Sequence, residues 1–445
     1  RDCLLSRGLG DVYKRQIYFL LALVCLGLQS CLFQEEDYFD DSSANRATAD
    51  VKRCSELLEA APNGWVMEYY VGKDYSLGGI TLLCKFDGQR VTMASQIAGA
   101  DETVSSLYSV KSEQATMLSF DTYNYLVHYF GQPQGSMADD PNGTLGGDYE
   151  FVISDATADR IELKGKKYGN RIVMKAFSAD QTWKQYLTRI KKVEDDAFFY
   201  EYDLRMDGLY TGQMLRSNYT FIVTYYDEVG KVYQKTVPFM FTTDGMRFHE
   251  PVTIDGQTMQ NFVWKNEEIS FVCTDEGATG VKMKGIYIDG YQSYDYYPGT
   301  YLMDFYRLNG ATNQLEVASQ EIQLVKNEDG KSYWLKGLEY DILVTYDKPR
   351  GGLSILPQFL KKVQGGYVYL AMWDLMNDYV LRSSAIGLIS YPTTDGIYLV
   401  DNGVWMGEIS GFIFGVYDSQ DEEASFMGYT DAVAAIRLIK KTIEE

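Results

Sequence analysis

Gly79-Ile80-Thr81-Leu82-Leu83-Cys84-Lys85-Phe86, then Asp87-Gly88-Gln89, then Arg90-Val91-Thr92-Met93: two β-branched and aliphatic runs meet across an Asp-Gly turn, which accepts the positive φ that tight hairpins need. A further strand, Trp65-Val66-Met67-Glu68-Tyr69-Tyr70, precedes this hairpin, and others are predicted around 116–120, 148–153, 160–163 and 171–175. Short strands at this spacing, joined by Gly, Asn and Asp turns, predict a mainly β protein of tandem antiparallel β-meander modules. Each module is a small barrel or a sandwich, with a lipocalin-like barrel as one form. The 37 tyrosines suit half-buried pleated faces.

Helices are few and short. Val51, Cys54, Leu57 and Leu58 form an apolar stripe closed by Pro62-Asn63-Gly64. Ser178 with Gln181 has capping-box spacing ahead of Trp183, Tyr186, Leu187 and Ile190, which share one helical face. The segment 430–443 is ambiguous: its alanines favour helix, its place in the repeat favours strand.

The chain also resembles itself. Phe151-Val-Ile-Ser-Asp155 leading to Ile161-Glu-Leu-Lys164-Gly165 is matched by Phe271-Val-Cys-Thr-Asp275 leading to Val281-Lys-Met-Lys284-Gly285. Phe120 and His128 are echoed by Phe241 and His249, so the two histidines are expected at equivalent positions of a duplicated module. Thr393-Thr394-Asp395-Gly396 repeats Thr242-Thr243-Asp244-Gly245 and suggests a diverged third copy. Repeats this long are whole domains or half-domains rather than solenoid units.

At 445 residues the chain exceeds one core, since single cores stop growing near ~250–300 residues. The net charge is −21, and discounting the residues before Cys31 (Arg1, Arg7, Lys14 and Arg15 against Asp2 and Asp11) makes it −23. Such a body repels nucleic acid and bare anionic membrane, so no nucleic-acid partner is expected. Cys54, Cys84 and Cys273 lack C-x-x-C spacing and read as buried small hydrophobes, not as disulfides or zinc ligands.

Residues 17–30 contain an apolar run too short for a comfortable membrane span of roughly 20 residues and read as a signal peptide. Leu28-Gln29-Ser30-Cys31 resembles a bacterial lipobox, which makes Cys31 the lipidated mature N-terminus. Residues 1–16 begin without Met and read as a non-native leader. Gln34, Glu35, Glu36 and Asp37 resemble the export signal that carries Bacteroidetes lipoproteins to the outer face of the outer membrane. The organisation expected is a lipidated acidic tether at 31–50, β module 1 at 51–177, a linking helix at 178–195, β module 2 at 196–295 as a repeat of module 1, and a diverged third module at 296–445.

Catalytic signatures are scarce: G-x-S-x-G, H-E-x-x-H, a P-loop and G-x-G-x-x-G after a strand are all missing. No metal site and no cofactor are expected. Asp139-Asp140-Pro141-Asn142-Gly143 and the run 418–423 lack calcium-loop spacing and read as solvated acidic turns. The densest aromatic run is Tyr287, Tyr291, Tyr294, Tyr296, Tyr297 and Tyr301, followed by Phe305 and Tyr306. Tyrosine joins a flat apolar face to a polar tip, so these six are the candidate ligand-binding residues. The competing reading is alternating strand residues, half of them core.

Taken together, the lipobox, the acidic tether, Ala61-Pro62-Asn63-Gly64-Trp65, Gly78-Gly79, Gly147-Asp148-Tyr149-Glu150-Phe151 and Lys164-Gly165-Lys166-Lys167-Tyr168-Gly169-Asn170 are similar to an uncharacterised family of Bacteroidetes outer-membrane lipoproteins, domain-of-unknown-function family 4302. The resemblance implies an accessory role beside starch-utilisation-type uptake systems. The expected function is therefore that of a non-catalytic, surface-exposed lipoprotein, held in the outer membrane by the lipid on Cys31. It would capture a glycan or peptide, with an uptake transporter complex as partner. A carboxylate-dependent hydrolase and a lipocalin-like carrier of a small apolar ligand are the alternatives.

Overall fold

The computed structural model describes residues 42–133, 144–227, 229–421 and 423–441. Cys31, Gln34, Glu35, Glu36 and Asp37, the leader, the signal segment and Asp139 to Gly143 lie outside them. Apart from Leu77–Gly79, which group with the second, the chain divides into two compact units between Gln185 and Tyr186.

Helix α1 (Ser43–Ala60) begins inside the segment expected to be tether. Ser42 is the reason: its hydroxyl accepts the Asn45 N–H at 3.2 Å and caps the first turn. The stripe predicted from Cys54 and Leu58 is buried, and Leu58 O accepts the Trp65 indole N–H at 2.8 Å.

The first barrel contains β1 (Trp65–Val71), β2 (Gly78–Asp87), β3 (Arg90–Ser95), β4 (Val104–Ser112), β5 (Thr116–Phe120), β6 (Glu150–Ala156), β7 (Arg160–Gly165) and β8 (Arg171–Ala176), with the one-turn helix α2 (Tyr125–His128) before β6. It is an antiparallel meander closed by β1 against β8, where Met67 faces Met174. The opening hairpin is confirmed, with Asp87 opposite Arg90 and Gly88 at φ +60°.

Helix α3 (Trp183–Asp196) follows. Its capping box lies four residues later than predicted: Thr182 Oγ1 accepts Gln185 N–H at 3.2 Å while Gln185 Oε1 accepts Thr182 N–H at 2.9 Å. The second barrel comprises β9 (Glu201–Met206), β10 (Leu209–Ser217), β11 (Thr220–Tyr226), β12 (Val232–Phe241), β13 (Gly245–Ile254), β14 (Gln257–Lys265), β15 (Ser270–Cys273) and β16 (Val281–Ile286). It closes with β9 on β16, Met206 facing Val281. Ile190 and Val193 of α3 join its core, which is filled with rings: Phe221 stacks on Phe239 at 4.5 Å, among Tyr202, Phe241, Phe248 and Phe271. Each fully buried ring contributes roughly 1.5–3 kcal/mol by leaving water.

The third sheet has twelve strands: β17 (Gly299–Asn309), β18 (Gln314–Lys326), β19 (Ser332–Lys336), β20 (Ile342–Asp347), β21 (Gly352–Ile355), β22 (Gln358–Val363), β23 (Gly366–Asp374), β24 (Tyr379–Leu381), β25 (Leu388–Thr393), β26 (Gly396–Asp401), β27 (Gly411–Tyr417) and β28 (Phe426–Lys440). Eight of them, β17 to β21 with β25, β26 and β28, form a ring because β28 pairs with both β26 and β17. The first part of β28 pairs with β27, which carries β23, β22 and β24 as a branch. The fold is thus mainly β, in barrels and not sandwiches, and 430–443 resolves as strand up to Lys440.

The histidines are not equivalent. His128 ends α2, whereas His249 lies within β13. The matched Phe151 and Phe271 stretches fall on β6–β7 and β15–β16, the sixth and seventh strands of one barrel and the seventh and eighth of the next. Short strand-turn-strand units repeat in composition without holding the same place in the two rings.

Candidate binding site

The six predicted tyrosines lie on or beside the connection between β16 and β17, and the structure separates them. Tyr297 and Tyr301 are fully buried, with their hydroxyls donating to Gly351 O at 2.8 Å and Tyr297 O at 2.7 Å. Burial pushes both phenols up from their ordinary pKa. They belong to the third core and not to a binding face: Tyr301 is on the inward-facing side of β17, where alternate residues turn inward, and Tyr297 packs under the connection that enters it. Tyr294, half-buried, stacks on Tyr333 at 4.7 Å and donates to Ser332 O at 2.8 Å, while Tyr333 donates back to Tyr294 O at 2.6 Å. Tyr296 is exposed, with the Lys440 ammonium 4.9 Å from its ring centre.

Tyr287 and Tyr291 pack at 4.4 Å and continue into other rings. Tyr291 stacks on Phe198 at 6.0 Å, and Tyr287 meets Phe199 edge-on at 5.0 Å. Phe198 and Phe199 line a groove of ≈ 660 Å³, within the usual range for ligand sites. The groove draws on five places: the last turns of α3, the Phe198-Phe199-Tyr200 segment that enters β9, Arg216 and Asn218 at the turn from β10 to β11, Lys331 just before β19, and the turn between β20 and β21 with Lys348 and Pro349. Tyr200, in the lining, leaves 51% of its surface exposed, and Tyr287, packed on Phe198 and Phe199 beside the groove, leaves 45%.

Charges in the groove are already committed. Lys348 Nζ donates to Asp195 O at 2.6 Å and sits 5.0 Å from the Phe198 ring centre. Arg216 Nη1 donates to Ala197 O at 2.9 Å. Glu194 accepts the Tyr219 hydroxyl at 2.7 Å and lies 3.9 Å from Arg216, and Asp195 lies 3.4 Å from Lys348. These acids serve as partners of cations and hydroxyls, unlike the opposed pair that glycoside hydrolysis needs. At the rim Lys192 is exposed but bonded to Asp196 at 2.5 Å, and Lys331 stands exposed. The site therefore offers ring faces for stacking and the Lys331 ammonium for hydrogen bonds to hydroxyl or carboxylate oxygens.

Elsewhere, groups with chemical potential are structural. His128 stacks on Tyr149 at 4.7 Å and accepts the Asn124 N–H at Nδ1, 3.2 Å away; burial lowers its pKa. Cys54, Cys84 and Cys273 are buried free thiols. Asp148 is buried and accepts the Lys167 and Tyr168 N–H groups at 2.7 and 3.1 Å; a Cβ on Gly165 would lie 2.1 Å from its Oδ2. Among the described residues, no three His, Cys, Asp or Glu side chains are grouped to hold a metal ion. Sequence reasoning missed Phe198, Phe199 and Tyr200; their signal was three adjacent aromatics directly after a helix.

A family model described as Domain of unknown function (DUF4302) matches residues 35–266. The chain belongs to that family. A second model, described as a domain of unknown function (DUF4987), matches residues 274–413. No curated protein matches. Among solved structures, a protein of unknown function from the DUF3598 family of Nostoc punctiforme PCC 73102 is 7% identical, covering 55% of this chain and 98% of that chain at a TM-score of 0.15. A mutant of the vaccine antigen Transferrin Binding Protein B from Haemophilus parasuis Hp5 is 11% identical, covering 82% of this chain and 67% of that chain at a TM-score of 0.11. Neither likeness carries an argument about function.

Proposed function

We propose that this DUF4302 chain is a non-catalytic binding protein that captures a polymer, a glycan or a peptide, in the groove beside Phe198. In this reading Cys31 carries a lipid that holds the protein in a bacterial outer membrane, Gln34 to Asp37 direct it to the cell surface, and the bound polymer passes to an uptake transporter of the starch-utilisation type. The observation that supports it is the groove itself: the exposed ring of Tyr200 in its lining, the exposed ring of Tyr287 packed beside it on Phe198 and Phe199, lysines at the rim, and acids that already serve as partners of neighbouring groups. The ring-filled core of the second barrel favours this reading over a carrier of an apolar ligand.

Glycan and peptide arrays probed with the chain from Ser42 onward test it. The expected result is retention on one polymer class, lost in Tyr200→Ser/Tyr287→Ser and kept in Tyr296→Ser, which lies outside the groove. Retention that the double substitution leaves unchanged would reject the site. Release of shortened products from the array would favour the hydrolase. Surface display is checked separately: protease added to intact cells should cleave the chain, and should fail to do so once Gln34 to Asp37 are alanine.

A further inference from the structure

The branch of the third sheet ends in two loops that expose apolar side chains to an unusual degree. Met376 and Met406 leave 81% and 96% of their surfaces in water, Val404 56% and Tyr379 54%. Tyr379 meets Trp405 edge-on at 5.7 Å, so the two rings form a corner between the loops. Methionine and aromatic side chains scattered singly over a surface need no explanation, but a cluster of four exposed ones around the half-buried Trp405 on adjoining loops marks an interaction site.

The loops are held rigidly. Asp374, fully buried at the end of β23, accepts Asn377 N–H at 3.1 Å, the Asn377 side-chain amide at 2.9 Å and the Trp405 indole N–H at 3.0 Å. Asp401 clamps the second loop from its other side, accepting Gly403 N–H at 2.7 Å and Ile409 N–H at 2.8 Å. Gly407 is required between them, since a Cβ there would lie 2.2 Å from Asp374 Oδ2. A tip fixed this way loses little conformational entropy when it docks, which is how preorganised surfaces gain affinity.

We propose that loops 375–379 and 402–408 form a docking tip for a second protein that offers an apolar cleft rimmed by lysine or arginine. Charge selects this occupant. The two loops contain Asp378 and Glu408, both exposed, and neither lysine nor arginine, so the rim attracts a basic surface and is repelled by an anionic lipid headgroup layer or a second copy of this acidic chain. The apolar centre supplies the anchors, with Trp405 and Tyr379 the residue types that dominate interface energetics. This tip is separate from the Phe198 groove, and neither reading depends on the other.

Photo-crosslinking of the full chain in the cells that make it tests the proposal. Benzoylphenylalanine replaces Met406, and in a control chain Val229, which is 87% exposed on the turn between β11 and β12. The expected result is a covalent adduct with one other protein from position 406 and none from position 229. Its yield falls at least fivefold in Asp378→Lys/Glu408→Lys and in Met376→Ser/Val404→Ser. All four replaced side chains are exposed, so the fold survives. The partner's cross-linked peptide, read by mass spectrometry, should be apolar with basic flanks. An adduct with phospholipid, an adduct with the same chain, a yield insensitive to charge reversal, or no adduct would each overturn the proposal.

Discussion

Gln358 shows how much one side chain settles in the third barrel. Strand β21 pairs with β20 only from Thr345 to Asp347, and the chain then leaves through Leu356-Pro357. Gln358 replaces the missing strand, its Oε1 accepting Leu343 N–H at 2.8 Å and its Nε2 donating to Leu343 O at 2.9 Å. Replacing it with Leu strips both partners from a part-buried peptide group, which costs about 1–3 kcal/mol; denaturant unfolding should show that loss, and an unchanged midpoint would contradict it. The same scale accounts for one part of the sequence repeat. Thr157, Thr242 and Thr393 each donate a hydroxyl to an aspartate two residues on, at 2.9, 3.1 and 2.6 Å. Thr-x-Asp is a local solution to closing a hairpin, so its recurrence reports turn chemistry, while the repetition of β modules is seen in the two eight-stranded barrels themselves.

Among elements, β28 carries the architecture because it changes partners midway. Ala435 sits at φ +52° between the part that pairs with β27 and the part that pairs with β26, and its N–H donates to Ser410 O at 2.8 Å. An L-residue there is strained, whereas glycine is not. Since Ala435 is exposed, Ala435→Gly is expected to be neutral or to stabilise by up to about 1 kcal/mol, and the β-branched Ala435→Val to destabilise; thermal unfolding of the pair decides. This kink was illegible in the sequence, where alanine suggested helix. The loops beyond β23 respond to acid. The Asn377 side-chain amide, then the Trp405 indole N–H and the Asn377 and Glu408 backbone N–H groups, hold the Asp374 carboxyl below the usual carboxylate range. Its contribution is therefore complete above the unfolded value of about 3.9 and is lost as pH falls through the lower folded value. Tryptophan fluorescence should stay constant from neutral pH to about 4 and change below it, with that change missing in Asp374→Asn. An identical acid profile in Asp374→Asn would contradict this assignment.

For the molecule as a whole, alternation and turn residues made the β-rich class, the opening hairpin and the buried cysteines legible. Barrel closure was not, because it depends on pairing between strands more than a hundred residues apart, such as β1 with β8 and β17 with β28. The tyrosine run was only half legible for a related reason: spacing shows that residues alternate, but not which hydroxyl finds a backbone carbonyl inside. Tyr297 and Tyr301 became core, and Tyr287 joined Phe198 and Tyr200 near a groove that no single segment announces. Capture at that groove is the central claim, and isothermal titration with the polymer selected on the arrays tests it most directly. Tyr200→Ser/Tyr287→Ser should bind at least tenfold more weakly than the unaltered chain, about 1.4 kcal/mol, with unfolding unchanged; equal affinities would contradict the account.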